Sequence, residues 1–300
     1  MIDVCFVSGS VYGIIDEETQ YLIDALKRKG KTSTIENWDN PNVDWSKYKL
    51  CINRTTANYM LHPNEYVEWG YKTEKVTSVW NSAKLLQWNH HKSYLLDLQK
   101  NGIPLPPTVM VRKDTQQSLL DVTPDDWEEI IIKPAITGGS FGLRRMHRNS
   151  LEAKTHYSNL LHNGYVEKGP DGTPYDCPSC DVLVQKYIPE IEKNGEVSLI
   201  YFDERFSHAV LKNPGKGDFR AHPMWGAGMS IHDASETEIE LGYDILDATP
   251  DETHYARIDL IPGINPVVIE EELIDPNLFF NFFPDTVDVF VEHIENYLKG

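Results

Sequence analysis

The chain has 300 residues, 40% of them apolar and 25% charged, with a formal net charge of −18 at pH 7. That length supports one large domain or two to three small ones packed together. The negative balance excludes a general nucleic-acid binder, whose phosphate contacts need a basic surface. It leaves room for a nucleotide held by a few placed lysines.

No apolar run approaches the roughly 20 residues of a membrane span. The opening residues have neither the basic flank nor the long apolar stretch of a secretory leader. Four cysteines, two of them in expected strands (Cys5 and Cys51), fit reduced thiols and a cytoplasmic setting.

In chain order, residues 2–8 read as a buried strand closed by Ser8, Gly9 and Ser10. A helix follows with Tyr21, Leu22, Ala25 and Leu26 on one face and Gly30 as its stop. A short strand over 49–52 completes an α/β unit of the Rossmann type, though without a GxGxxG turn. Helices are expected over 83–89 and 91–100, ended by Gly102 and the prolines 104, 106 and 107. Strands are expected over 108–112 and 129–133, then a polar helix over 149–163. Further strands are expected over 182–188, 197–202, 206–212, 255–261 and 267–274. A final helix over 285–298 carries Val287, Phe290, Val291, Ile294 and Leu298 on one stripe. Strands crowd the part after residue 180, so mixed α+β lobes should follow the α/β start. The expected division is 1–78, 79–185 and 186–300.

Chemistry concentrates in a few places. Glu270 and Glu272 lie two residues apart on one strand and so share a face, and Asp259 on a neighbouring strand can join them. Three hard oxygen donors among apolar neighbours suit magnesium, which prefers carboxylates combined with nucleotide phosphates. Taken alone, the three acids are equally compatible with a solvated strand face. Lys133 ends an isoleucine-rich strand and is followed by the loop Thr137, Gly138, Gly139, Ser140, Phe141 and Gly142. Small residues there let backbone N–H groups approach an anion, but a glycine-rich hairpin is an equally ordinary reading.

Lys92, Lys212 and Arg220 add positive charge, and an arginine in such a loop can neutralise a transferred phosphoryl group. The run 184–189 is an apolar strand passing into polar residues. Its extended backbone at Gln185, Lys186, Tyr187 and Ile188 can meet an adenine edge, with Glu190 or Glu192 near a ribose. Cys177 and Cys180 form a lone CxxC without partner ligands and read as a loop.

Taken in order, these pieces resemble the ATP-grasp superfamily. The order is Lys92, Lys133 with Pro134, the loop 137–142, the strand 185–188, then Lys216 to Arg220, Arg257 with Asp259, and Glu270 with Glu272. The segments around Arg54, 63–69 and 272–279 look most like the branch that includes O-ureido-serine cyclo-ligases, with glutathione synthetase and the ribosomal-protein glutamate ligase as relatives. The resemblance implies a pre-ATP-grasp domain followed by two α+β lobes that clamp ATP.

It implies that Lys92 and Lys133 bind phosphates under the 137–142 loop, that residues 186–188 hold adenine, and that Glu192 or Glu196 contacts the nucleoside. Asp259, Glu270 and Glu272 would hold two magnesium ions, with Glu270 bridging and manganese able to substitute. Arg220 would stabilise an acylphosphate and Arg257 would hold the substrate carboxylate, with Lys212 in the same ring of cations. The implied activity is carboxylate–nucleophile ligation of small molecules, or its intramolecular form, with homodimerisation a family expectation. The alternatives are a small-molecule kinase and a nucleotide binder without turnover. Residues 56–59 depart from the tryptophan-containing stretch expected after Arg54, which leaves substrate identity open, and 163–181 looks like an insertion.

Overall fold

The structure, a computed structural model, describes residues 1–10, 16–168, 172–215, 217, 219–221 and 226–299. Residues 169–171 of the expected insertion, and Lys216 and Asp218 of the 216–220 motif, lie outside the described residues.

Strand β1 (Ile2–Ser8) pairs in parallel with β2 (Ser33–Asn37) on one side and β3 (Tyr48–Thr55) on the other, and β4 (Ser78–Trp80) extends β3. Helix α1 (Glu17–Arg28) links β1 to β2. The Asp16 carboxylate caps its start by accepting from the Thr19 N–H at 2.6 Å, and Gly30 ends it at φ +72°. Alternation along the strands decides the two faces. Val4, Phe6, Leu50 and Ile52 pack with Leu22 and Leu26 of α1 and with Phe290, Val291 and Ile294 of the last helix, α9 (Thr286–Tyr297). Cys5, Val7 and Cys51 point the other way, against Tyr66 and Trp69 of α2 (Pro63–Glu74). The chain's end therefore returns to its beginning: α9, expected as part of the last lobe, covers the first sheet.

Two short helices, α3 (Ala83–Asn89) and α4 (Tyr94–Lys100), lead into the second sheet. That sheet orders β5 (Thr108–Val111), β10 (Val182–Lys186), β6 (Glu129–Pro134) and β7 (Arg144–His147), all antiparallel. Between them run α5 (Leu119–Val122), α6 (Leu151–Ser158) and a hairpin of β8 (Tyr165–Lys168) with β9 (Pro174–Cys177). Ile130, Ile132, Val182 and Val184 bury themselves under Ala153 and Tyr157 of α6. Ile131, Lys133 and Gln185, on the opposite face, are left to line a cavity.

After α7 (Glu190–Asn194) comes the third sheet, ordered β13 (Gly228–His232), β12 (Arg205–Asn213), β11 (Glu196–Phe202), β14 (Tyr255–Ile261) and β15 (Val267–Glu272). Leu199, Tyr201, Ile258 and Leu260 pack toward α8 (Glu236–Ala248) and α4. Ser198, Lys212, Arg257 and Asp259 take the other face. Two α+β lobes thus stand behind a parallel-sheet start, and each lobe turns its polar face inward. No described helix is long and apolar enough to cross a membrane.

Candidate active site between the two antiparallel sheets

The inward faces enclose a cavity of about 340 Å³. The second sheet supplies Ile131, Lys133, Gln185 and Lys186, with Tyr187 and Ile188 just beyond. The third supplies Glu196, Lys212, Arg257, Asp259, Ile269, Glu270 and Glu272. Thr137, Gly138, Gly139 and Ser140 cover one side, and Phe219, Arg220 and Ala221 approach from another. Most residues singled out in the sequence therefore meet around one space.

The acids converge because of strand register. Asp259 pairs with Glu270 across β14 and β15, and Arg257 pairs with Glu272, with a bulge just after Asp259. Glu270 and Glu272 face the cavity, as period-two alternation requires. Asp259 is buried, Glu270 and Glu272 are partly buried, and each acid carries a protein cation. The Lys92 ammonium meets Glu270, and the Lys212 ammonium bridges Glu196 and Asp259, the latter at 3.3 Å. Arg257 donates to Asp259 at 2.9 Å and to Glu272 at 2.5 Å, and Ser198 donates to Asp259 at 2.5 Å.

Burial pushes a carboxyl group toward its neutral form, and nearby cations oppose that. At Asp259, Arg257 and Lys212 outweigh burial and hold the group below the usual carboxylate range. Lys92 and Lys133 do the same for Glu270. At Glu272 burial prevails over Arg257, and the acid rises to about 7. Lys133 is driven down to about 8 by burial first and by neighbouring Lys92 second. The cluster is a balanced set of buried charges in which a metal ion could take over the role of a protein cation.

Glu271, between the two cavity acids, faces the opposite side. Burial raises it to about 8. Its Oε1 lies 2.9 Å from the Thr249 hydroxyl, which already donates to the Ile245 carbonyl at 2.8 Å. One hydroxyl proton cannot serve both acceptors. A protonated Glu271 donating to Thr249 resolves the conflict.

Local backbone geometry sets the cover loop. Gly139, Ser140 and Gly142 adopt φ of +57°, +62° and +72°. A Cβ on Gly142 would meet Pro134 Cγ at 2.6 Å and the Tyr165 ring at 2.8 Å, so glycine is required there. The Gly142 N–H donates to Glu167 at 2.8 Å, which places this residue behind the cavity wall.

Three readings change in detail. Lys92 is not in a helix: it lies in the turn before α4, where its N–H donates to the Ala135 carbonyl at 2.7 Å. That bond ties it to the end of β6 and buries its side chain beside Lys133. Glu192 stands outside the cavity, where it pairs with Arg145 and accepts from the Tyr187 hydroxyl at 2.8 Å. Gly195, at φ +73°, turns the chain so that Glu196 enters instead. At the expected adenine strand, the Lys186 and Tyr187 N–H groups already donate to Pro107 and Glu129 carbonyls at 2.9 and 3.0 Å. The Ile188 N–H makes no hydrogen bond among the described residues.

Tyr59, Asn89, Asp275 and Asn277 also line the cavity and were not singled out in the sequence. They come from loops and helix ends distant in the chain. Cys177 and Cys180 are free thiols at the β9 end, and among all the described residues no three His, Cys, Asp or Glu side chains stand ready-grouped around a metal position, the cavity acids being turned to their protein cations instead.

Comparison with known proteins finds similarity along the chain's whole length. The family described as "D-cycloserine synthetase DcsG, N-terminal domain" matches residues 4–81. The cycloserine biosynthesis protein DcsG of Streptomyces lavendulae is 26% identical over 313 aligned residues, covering 99% of both chains. The crystal structure of D-cycloserine synthetase DcsG superimposes with a TM-score of 0.82 at 24% identity, over 98% of this chain and 99% of that one. A D-alanine–D-alanine ligase from Bacillus anthracis, solved with ATP, gives 0.68 at 12% identity over 99% and 97%. The chain shares the ATP-grasp fold of these solved structures. Within that class it is similar along its whole length to DcsG.

Proposed function

We propose that the chain is an ATP-dependent ligase that activates the carboxylate of a small amino-acid-like substrate. The γ-phosphoryl group of ATP passes to a carboxylate oxygen, giving ADP and an acylphosphate. An amine or another nucleophile then displaces phosphate, within the same molecule or from a second one. The observation that carries this reading is the single cavity shared by Asp259, Glu270 and Glu272 with Lys92, Lys133 and the 185–188 strand. Full-length similarity to a D-cycloserine synthetase favours the intramolecular form.

The residues fit ATP with magnesium. Buried Asp259 and partly buried Glu270 and Glu272 are oxygen donors on adjacent strands, the donor class that magnesium takes together with phosphates. Bound there, the metal neutralises phosphate charge and fixes the phosphates in place. Lys92 and Lys133 reach the phosphates, and the 137–140 loop covers them. The Ile188 N–H and the residues around it meet the adenine edge, and Glu196 contacts the nucleoside. Arg257 and Arg220 orient the carboxylate and stabilise charge on the acylphosphate, and Lys212 holds Asp259 and Glu196 in place. The chain supplies position and electrostatics and needs no covalent nucleophile of its own.

The test is ADP and free phosphate release by the full chain with magnesium-ATP across amino acids and dipeptides, with products identified by mass. Equal amounts of ADP and free phosphate are expected with a ligated or cyclised product. ADP with phosphate retained on the product would make the protein a kinase. Glu270→Gln should lower the rate about 100- to 1,000-fold with an unchanged circular-dichroism spectrum. Undiminished turnover would remove the metal assignment.

A further inference from the structure

Five carboxylates line the cavity: Glu196, Asp259, Glu270, Glu272 and Asp275. Four of them pair with Lys92, Lys212 or Arg257. Asp275 forms no ion pair among the described residues. Arg54, whose charge reaches Asp275, is hydrogen-bonded elsewhere, donating to Glu18 at 2.8 Å and to the Pro276 carbonyl at 3.0 Å.

The two oxygens of Asp275 differ. Oδ2 accepts from the Thr56 N–H at 2.7 Å and from the Thr56 hydroxyl at 3.2 Å, which fixes the carboxylate plane. Oδ1 accepts no hydrogen bond from the described residues, and it is not sealed away as an orphaned buried atom. It therefore opens on the cavity. Beside it stands Tyr59, only 8% exposed, whose ring stacks on Tyr66 at 5.2 Å. The Tyr59 hydroxyl makes no hydrogen bond among the described residues, although it lies close enough to Asp275, Glu272 and Glu270 to feel their charge. A fixed carboxylate oxygen and a buried phenol, both without a hydrogen-bond partner among the described residues, line the same cavity and lack a cationic donor.

We propose that Asp275 and Tyr59 bind the protonated primary amine of the substrate, with Asn277 beside them, so that the site selects amino acids over simple carboxylic acids. The ammonium donates to Asp275 Oδ1 and to the Tyr59 oxygen and rests against the aromatic ring. Across the same cavity, Arg257 and Arg220 take the carboxylate. The substrate class is thus a small amino acid bound by both of its charges. A third metal position is disfavoured because Oδ2 is held by two donors and the neighbouring ligand is a neutral phenol. The inference rests on reading the cavity as a nucleotide and carboxylate site.

The experiment separates the two claims. The full chain is titrated by calorimetry with magnesium and a non-hydrolysable ATP analogue. The saturated protein is then titrated with amino acids and with their counterparts carrying hydrogen or hydroxyl in place of the amine. Failure of the nucleotide analogue to bind defeats the reading of the cavity, and the amine assignment with it. Nucleotide binding with amino acids held at least about tenfold more tightly than the counterparts is the expected result. Asp275→Asn should weaken amino-acid binding about 10- to 100-fold and leave nucleotide affinity within about twofold. Tyr59→Phe should weaken it less, and it serves if the aspartate variant does not fold. Equal affinity for amino acids and counterparts, or a loss of magnesium rather than amine affinity in Asp275→Asn, would overturn the assignment.

Discussion

The two ends of the cavity solve the same problem in opposite ways. At the Glu270 end, every acid is paired with a lysine or arginine of the chain, and the cluster is nearly neutral before any ligand arrives. At the Asp275 end, a carboxylate is fixed by two neutral donors and has no ion-paired partner among the described residues. The first arrangement holds the fold together and can exchange a protein cation for a metal ion. The second contributes little to the fold and waits for charge from outside. Buried pairs are costly to break from one side only, because the remaining charge stays buried.

The contrast gives graded expectations. Lys212→Met strips a cation from both Glu196 and Asp259, and it should destabilise the fold by about 3–5 kcal/mol in denaturant titration. A loss below about 1 kcal/mol would mean that the paired end is not structural. A smaller effect belongs to Glu271. Its folded value of about 8 exceeds the ordinary carboxylate value of 4.5, so between those pH values the folded state binds more protons than the unfolded one. Stability therefore falls as pH rises through that window. Glu271→Gln keeps a donor for Thr249 and loses the proton, so the fall from pH 5 to pH 8 should flatten in the variant. An identical slope would show that Glu271 stays charged. Smallest of all is Asp275→Asn, expected to change stability by less than about 1 kcal/mol because no ion pair is lost. A loss as large as that of Lys212→Met would erase the distinction between the two ends.

The same division governs what the sequence disclosed. The paired end was readable because its parts sit on strands, where alternation fixes the face and apolar neighbours fix burial. Glu270, Glu272, Asp259, Lys133 and Gln185 all follow that rule. In the sequence Glu192 and Glu196 are alternatives, because a short helix and the positive φ of Gly195 decide between them and neither shows as periodicity. Tyr59 and Asp275 went unread since they meet only through the packing of the first sheet against the loop after β15. The pairing of each acid with its cation likewise needs tertiary geometry.

Some structure was missed despite available signals. Tyr66, Trp69, Gly70 and Thr73 lie at helical spacing behind Pro63, and Ser235 with Glu238 forms a capping box ahead of α8. The return of α9 to the first sheet had no such signal: its stripe of Val287, Phe290, Val291 and Ile294 shows that it packs, not where.

The central claim is that a carboxylate is activated by phosphoryl transfer at the Glu270 end. The most direct measurement uses an amino-acid substrate found in the ADP-release screen, labelled with 18O in its carboxylate, and follows the label by mass in the phosphate released. Transfer of one labelled oxygen to phosphate is expected, because the acylphosphate C–O bond breaks when the nucleophile attacks. Release of unlabelled phosphate alongside ADP would contradict carboxylate activation.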